Sequence, residues 1–306
     1  MKLSVVTPIY NDAYLAKDFV EELSRITFKE VELFEIIFVD DGSSINDLSL
    51  KNLADNYPFV KVLYLSRNFG QHIALSAAYQ ASSGDLTCMI NVDQQDPPKE
   101  IQKLISYLLN NELDIVYGLR KKRKESLFKN ISSKGFNLLL NKLTGDNTPL
   151  NVATVRVMNR NFLEAYNSLT EKSRYIPGLE SWLGFEKGYV PIEQQSRIDT
   201  KSSYNFSKRL NMALSSIVSF SDLPLKWSAL GGMILSLVGF LILIVLTVMK
   251  LFFIDFQPGY VSTVALVIFI GGIQIFVVGL ASIYIGRILK EVQNRPLYLI
   301  KKKLNV

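Results

Sequence analysis

The residues best suited to chemistry lie in Met89-Ile90-Asn91-Val92-Asp93-Gln94-Gln95-Asp96-Pro97-Pro98. The apolar residues before Asn91 read as a buried strand, and the two prolines stop it. Between strand and stop, Asn91, Asp93, Gln95 and Asp96 all present side-chain oxygens. Hard oxygen donors suit Mg²⁺ or Mn²⁺, ions held by one or two carboxylates together with substrate phosphates. The plain alternative is a polar loop in which Asp and Pro make a turn.

Other candidates stand at the ends of other apolar runs. Asp40-Asp41-Gly42-Ser43-Ser44 follows Leu33–Val39. A carboxylate there either accepts hydrogen bonds from a ribose or base, or joins Ser43 and Ser44 in capping the next helix. The single histidine, His72, is either catalytic or a satisfied polar group near a helix start. Arg120-Lys121-Lys122-Arg123-Lys124, with Lys129 and Lys134 beyond, is either a solvated face or a contact for phosphate or anionic lipid. Near an anionic bilayer each such residue contributes about 1 kcal/mol.

These residues need a frame. Lys2–Thr7, Leu33–Val39, Val60–Leu65, the run into Asn91 and Asp114–Tyr117 read as strands. Helical patterns cover 15–26, 73–81, 99–109 and 134–143, and Asn151–Met158 reads as a further short strand segment. Strands alternating with helices indicate βαβ units and a parallel sheet. Polar residues at each strand's end then align along one rim, where open α/β sheets bind ligands.

The chain has 306 residues, enough for one large domain or two smaller ones. Its one cysteine, Cys88, excludes an intramolecular disulfide, and nothing asks for an oxidising compartment. Met1–Tyr10 is too brief for the apolar core of a cleaved signal peptide. The net charge of +6 suits phosphates or lipid headgroups, and no nucleic-acid-binding pattern accompanies it.

The long apolar runs lie in the C-terminal third. Trp227–Met249 and Tyr260–Ile285 contain no charged residue, and each exceeds the ~20 residues that cross ~30 Å of hydrocarbon. With Lys250, Asp255, Pro258 and Gly259 between them, they read as a two-helix transmembrane hairpin, about 227–249 and 260–285. Arg287, Lys290, Arg295 and Lys301–Lys303 follow, and positive flanks stay cytoplasmic. Residues 204–226 mix apolar residues with Lys208 and Arg209 and read as interfacial amphipathic helices. The expected organisation is therefore a catalytic domain over 1–203, interfacial helices over 204–226, the hairpin over 227–286 and a basic cytoplasmic tail over 287–306.

Taken in order, Thr7-Pro8-Ile9-Tyr10-Asn11-Asp12, Val39-Asp40-Asp41-Gly42-Ser43, Ser66-Arg67-Asn68-Phe69-Gly70 and Asp93-Gln94-Gln95-Asp96-Pro97-Pro98 resemble the family 2 inverting glycosyltransferases of GT-A fold. Arg174-Tyr175-Ile176-Pro177-Gly178-Leu179, Trp182-Leu183-Gly184-Phe185 and the paired spans extend the likeness over nearly the whole chain. The narrower resemblance is to polyprenyl-phosphate glycosyltransferases, the bactoprenol glucosyltransferases and dolichol-phosphate mannose synthases.

That resemblance implies an α/β, Rossmann-like, mostly parallel sheet and a nucleotide-diphosphate sugar held by Pro8, Tyr10, Asp12, Asp40, Asp41, Arg67 and Asn68, with Arg197 and Lys201. It implies Mg²⁺ or Mn²⁺ at Asn91, Asp93 and Gln95, and an acceptor phosphate near Arg120, Arg123 and Lys129. Asp93 and Arg156 are the expected catalytic groups. Two positions depart from the family. Asn91 stands where Asp is common, which removes one negative charge. Thr154 stands at the family's base position, and a hydroxyl is no base at neutral pH. Glu180 is either a substitute base or a surface carboxylate. A lipid monophosphate, with a second pKa near 6, is already largely ionised at pH 7 and needs positioning more than deprotonation.

The expected activity is inverting transfer of a hexose, from UDP-glucose, to undecaprenyl or a similar polyprenyl phosphate at the cytoplasmic face of the inner membrane. The expected product is a lipid-linked sugar for cell-envelope glycans. The alternative is a membrane scaffold that binds nucleotide sugar without turnover. A homo-oligomer is compatible with either.

Overall fold

The computed structural model describes residues 1–44, 48–120, 149, 151–193, 223–252 and 259–306. They belong to two compact units, Met1–Ala213 with Pro296–Val306, and Leu214–Arg295.

The first unit is built on a sheet with strands β1 (Lys2–Ile9), β2 (Glu32–Asp40), β3 (Val60–Leu65), β4 (Leu86–Met89), β5 (Ile115–Arg120), β6 (Val152–Asn159), β7 (Lys187–Ile192) and β8 (Ile300–Leu304). Their order is β7-β5-β6-β4-β1-β2-β3-β8. β1, β2 and β4 are buried along most of their length. Strands covered on both faces read as continuous apolar runs, which is why the sequence exposes them.

Helices α1 (Ala16–Arg25), α2 (Ser49–Asn56), α3 (Gln71–Ala81), α4 (Ile101–Asn110), α5 (Arg160–Ser168) and α6 (Ile176–Trp182) belong to the same unit. α4 buries Ile101, Leu104, Ile105 and Leu108. That one-sided spacing commits a single face to the sheet. α3 buries small residues, Ala74, Ser76, Ala77 and Ala78, and packs close to β1 and β2.

Two features place the site. β1 lies between β2 and β4, so the chain leaves β1 for one side of the sheet and later returns on the other. Ligands of open α/β sheets bind outside the carboxyl ends of the strands at such a reversal. β6 runs antiparallel between β4 and β5, with Arg156 opposite both Met89 and Tyr117. The sheet is therefore mixed, and β6 carries Thr154 and Arg156 to the end of β4 where Asn91 begins.

The basic tail expected over 287–306 is a structural element instead. Ile300–Leu304 pairs antiparallel with β3, Val62 opposite Leu304 and Leu65 opposite Ile300. Tyr298 donates to Gln80 Oε1 at 2.6 Å, and Asn305 Nδ2 donates to the Ala54 and Val60 carbonyls at 2.7 and 2.9 Å. Three successive lysines hid this strand from the hydropathy pattern. On an exposed edge, lysines also discourage pairing with other chains.

The second unit holds α7 (Leu223–Phe252) and α8 (Tyr260–Val292), which contain the two expected spans and run beyond them. Among the described residues one segment, Phe269–Val292, is long and apolar enough to cross a membrane, with mean hydropathy 1.9 and none of it buried. The expected interfacial helices lie outside the described residues except for the first residues of α7. The expected helix over 134–143 lies outside them altogether.

Candidate active site

The loops after β1, β2 and β3 are stitched together by their own side chains. Asn11 has φ +62°; its N–H donates to Ser43 Oγ at 2.9 Å, and its Oδ1 accepts from Ser44 N–H at 3.0 Å. Asp40 Oδ1 accepts from the N–H and hydroxyl of Ser43 at 2.9 and 2.6 Å. Asp41 is buried, and its two oxygens accept from Phe69 N–H at 2.7 Å and Gly70 N–H at 2.9 Å. Gly42 has φ +66°, and a Cβ there would stand 2.3 Å from the Arg67 carbonyl carbon. Only glycine fits that approach. Of the two acidic residues, then, Asp41 builds the platform. Asp40 is less buried and stays on the rim with Pro8, Tyr10, Asp12, Arg67 and Asn68.

The segment after β4 turns sharply at Gln94, whose φ is +52°. Asn91, Asp93 and Gln95 are all partly exposed, and Gln95 N–H donates to Asp93 Oδ1 at 3.3 Å. Among the described residues no group of three His, Cys, Asp or Glu could hold a metal. The segment supplies one carboxylate and two amide oxygens. That donor chemistry fits a hard cation sharing its coordination with substrate phosphates, as Mg²⁺ does.

Asp96 is buried. It accepts from Arg120 Nε and Nη2, each at 2.9 Å, and from the N–H groups of Thr154 and Val155 at 3.2 and 3.4 Å. Arg120 Nη2 also donates to Thr154 Oγ1 at 3.4 Å. Arg120, expected as a phosphate ligand, is therefore engaged by Asp96. The Asp96–Arg120 pair thus grips the backbone at Thr154, the residue expected at the base position. Arg197, Lys201, Arg123 and Lys129 lie outside the described residues.

Beside Thr154 opens a cavity of about 350 Å³ between α3, β4–β7 and α6. Its walls include His72, Tyr117, Tyr175 and Tyr189, and its polar groups include Arg156, Glu180 and Lys187. Arg156, expected as a catalytic group, is largely buried. It is 7% exposed; its Nη1 donates to Glu180 Oε2 at 2.9 Å and its Nε to the Tyr79 hydroxyl at 3.2 Å. Burial works against its charge, but Glu180, with Tyr79 and Tyr117, outweighs burial and raises its pKa. Glu180, expected as a surface carboxylate or a base, is wholly buried. Burial raises its pKa, opposed by Arg156 and by the Tyr117 hydroxyl that donates to Oε2 at 3.0 Å. His72 stands near the start of α3, edge-on to Tyr175 at 5.7 Å, and burial followed by the Arg156 charge lowers its pKa to about 4. It is neutral at pH 7. The sequence singles out none of Tyr117, Lys187 and Tyr189: Tyr117 ends an expected strand, and Lys187 and Tyr189 lie in β7, which was not expected.

The family model for glycosyl transferase family 2 matches residues 4–166, which hold every strand of the switch-point site. The chain belongs to glycosyl transferase family 2. It is 36% identical over 98% of its length, and 95% of the other's, to an uncharacterized glycosyltransferase of Synechocystis sp.. It is 32% identical to the undecaprenyl-phosphate 4-deoxy-4-formamido-L-arabinose transferase of Yersinia enterocolitica, over 98% of this chain and 93% of that one. Among solved structures, glucosyl-3-phosphoglycerate synthase of Mycobacterium tuberculosis superposes with a TM-score of 0.52 at 17% identity, covering 72% of this chain and 80% of that one. That likeness concerns the fold, the Rossmann-like mixed sheet of GT-A enzymes. The same synthase with Mn²⁺ and UDP-glucose gives 0.50 at 18% identity, over 70% and 75% of the two chains. As a family 2 glycosyltransferase, the protein is a transferase built on the expected fold, with β6 and β8 reversed.

Proposed function

We propose that this family 2 enzyme transfers a sugar from a nucleoside diphosphate to a polyprenyl phosphate at the cytoplasmic face of the inner membrane. The observation that carries this reading is the extent of likeness to the Yersinia transferase. It spans 98% of the chain and so includes the apolar C-terminal third as well as the catalytic domain. The exposed apolar surface of Phe269–Val292 supports it, since a helix of that hydropathy in a soluble core would be buried.

The return of the chain supports a hairpin. The chain leaves the first unit before α7 and rejoins its sheet at β8 after α8. The segment between must then cross the bilayer an even number of times, with catalytic domain and C-terminus on one side.

The chemistry follows from charge. The anomeric carbon–oxygen bond to the diphosphate breaks as a lipid phosphate oxygen attacks from the opposite face, and negative charge grows on the departing diphosphate. A divalent ion, Mg²⁺ or Mn²⁺, held by Asn91, Asp93 and Gln95 would offset that charge. The acceptor oxygen is already ionised near neutral pH, so Thr154 serves without a base. The Asp96–Arg120 pair fixes the Thr154 backbone, and the loops bound through Asp40, Asp41 and Asn11 fix the nucleotide rim, which turns an encounter into a positioned reaction. Glucose from UDP-glucose is the first donor to test. The Yersinia relative's name makes 4-deoxy-4-formamido-L-arabinose the second.

A non-catalytic nucleotide-sugar-binding scaffold is the rival, favoured by Thr154 and Asn91 at positions where the family commonly has Asp. Purified protein, undecaprenyl phosphate, Mg²⁺ or Mn²⁺ and a panel of labelled nucleotide sugars separate the two. Lipid-linked product absent from Asp93→Ala supports transfer. Donor binding with no product supports the scaffold.

A further inference from the structure

The cavity between α3, β4–β7 and α6 contains an unmet demand. Glu180 Oε2 is saturated by Arg156 and Tyr117. Oε1 is buried and has no hydrogen-bond partner. The Tyr79 hydroxyl, which accepts from Arg156, lies near enough to favour the carboxylate form, but it makes no hydrogen bond to Oε1. A buried carboxylate oxygen left unpaired carries the desolvation penalty of that group with nothing to offset it, so the site is complete only when a donor group arrives.

The walls indicate which donor. Tyr117 and Tyr189 stack at 5.7 Å and 22°, and His72 meets Tyr175 edge-on at 5.7 Å. Flat apolar faces beside one acceptor suit a sugar ring, which offers C–H faces and O–H or N–H edges. They suit a phosphate poorly. An ionised phosphate has only acceptors, and Arg156 is already committed to Glu180. Lys187, the other cation in the wall, donates to Ser181 Oγ at 3.3 Å and lowers the Glu180 pKa.

Resting on the transferase reading above, we propose that this cavity seats the transferred sugar and that Glu180 Oε1 accepts from one of its O–H or N–H groups, making Glu180 a specificity-determining residue. A site built to hydrogen-bond such a group rejects analogues that lack it far more strongly than an apolar pocket does.

The test uses the full chain in lipid nanodiscs. Calorimetry measures binding of UDP, UDP-glucose, UDP-galactose, UDP-xylose, UDP-N-acetylglucosamine and UDP-4-deoxy-4-formamido-L-arabinose, and lipid product is followed in parallel. Two variants are compared with wild type: Glu180→Gln, and the double variant Arg156→Met/Glu180→Met, which removes the ion pair as a unit. Wild type is expected to separate its best and worst sugars by about 100-fold. Both variants are expected to compress that spread below about tenfold while UDP itself binds within about twofold of wild type. The inference is overturned if the variants weaken every UDP-sugar by one common factor, if UDP binding falls equally, or if wild type shows no preference among sugars. It is also overturned if Glu180→Gln instead tightens binding of inorganic phosphate, which would make this the acceptor pocket. Sugar discrimination without lipid product would sink the transferase reading and leave the pocket assignment standing.

Discussion

Arg120 grips Asp96 at two points, Nε to Oδ1 and Nη2 to Oδ2, each 2.9 Å. The same carboxylate holds the backbone of Thr154 and Val155, so one pair ties the end of β5 to the start of β6 under the oxygen-donor segment. Asp96→Asn keeps the size of the side chain but loses the charge that orients Arg120. The variant should fold, with a melting midpoint a few degrees lower, and lose at least tenfold in kcat with donor binding little changed. Thermal melts and donor titration check both parts. Unchanged turnover would show that the pair only braces the sheet.

Thr154 tests whether a base is needed. If the acceptor phosphate arrives ionised, Thr154→Ala should keep turnover within about tenfold of wild type, whereas Asp93→Ala should lose 10²-fold or more, as removal of a charge-stabilising group does. Steady-state rates on one lipid preparation give the comparison. Equal losses would make the Thr154 hydroxyl part of the chemistry.

The Arg156–Glu180 pair is buried on both sides. Arg156→Met alone leaves a carboxylate without its cation and should cost about 3 kcal/mol or more, while Arg156→Met/Glu180→Met should fall within about 1 kcal/mol of wild type. Denaturant melts of the three proteins measure this. A double variant as unstable as the single one would mean that packing at these positions outweighs charge.

His72 gives the protein a pH dependence of known sign. Its pKa is about 4 in the folded chain against 6.5 for the free side chain. Between those values the unfolded chain binds a proton that the folded chain refuses. Stability from this group is therefore complete above pH 6.5 and falls as pH drops toward 4, by about 3 kcal/mol in all. His72→Gln should flatten the stability profile across that window. A wild-type profile already flat between pH 7 and pH 4.5 would contradict the buried neutral imidazole.

Much of this arrangement was legible in the residues. Val60–Leu65 is bounded in the structure as the sequence predicts, the other five expected strands shift by one to three residues at their ends, and Lys187–Ile192 was not expected as a strand. The rim residues follow from one rule, that polar groups at strand ends gather at a switch point. What stayed hidden depends on distant pairing. Nothing local marks β6 as antiparallel, yet that reversal sets Arg156, expected as a catalytic group, opposite Met89 and Tyr117, where it is a buried partner of Glu180. Glu180 looked like a surface group because it stands in a short, mixed helix. Asp41 looked like a ligand because sequence cannot show that the N–H groups of Phe69 and Gly70 reach its oxygens first. Ile300–Leu304 reads as a charged tail until β3 offers it an edge.

That last strand makes membrane topology testable. Cys88, the only cysteine, is buried and its thiol pKa is pushed up by burial, so the native chain should react slowly with maleimide. Cysteines introduced as Asn68→Cys and Lys302→Cys, one on the rim and one on β8, should both label only from the cytoplasmic side of inverted vesicles. Opposite sidedness would break the hairpin and the pairing of β8 with β3 together.

The most direct measurement is mass spectrometry of the lipid formed by the intact protein in nanodiscs containing undecaprenyl phosphate, nucleotide sugars and Mg²⁺ or Mn²⁺, repeated after chelation. The account predicts a polyprenyl monophosphate carrying one sugar of inverted anomeric configuration, abolished by chelation and by Asp93→Ala. Nucleotide sugar bound without lipid product, or product formed at full rate after chelation, would contradict it.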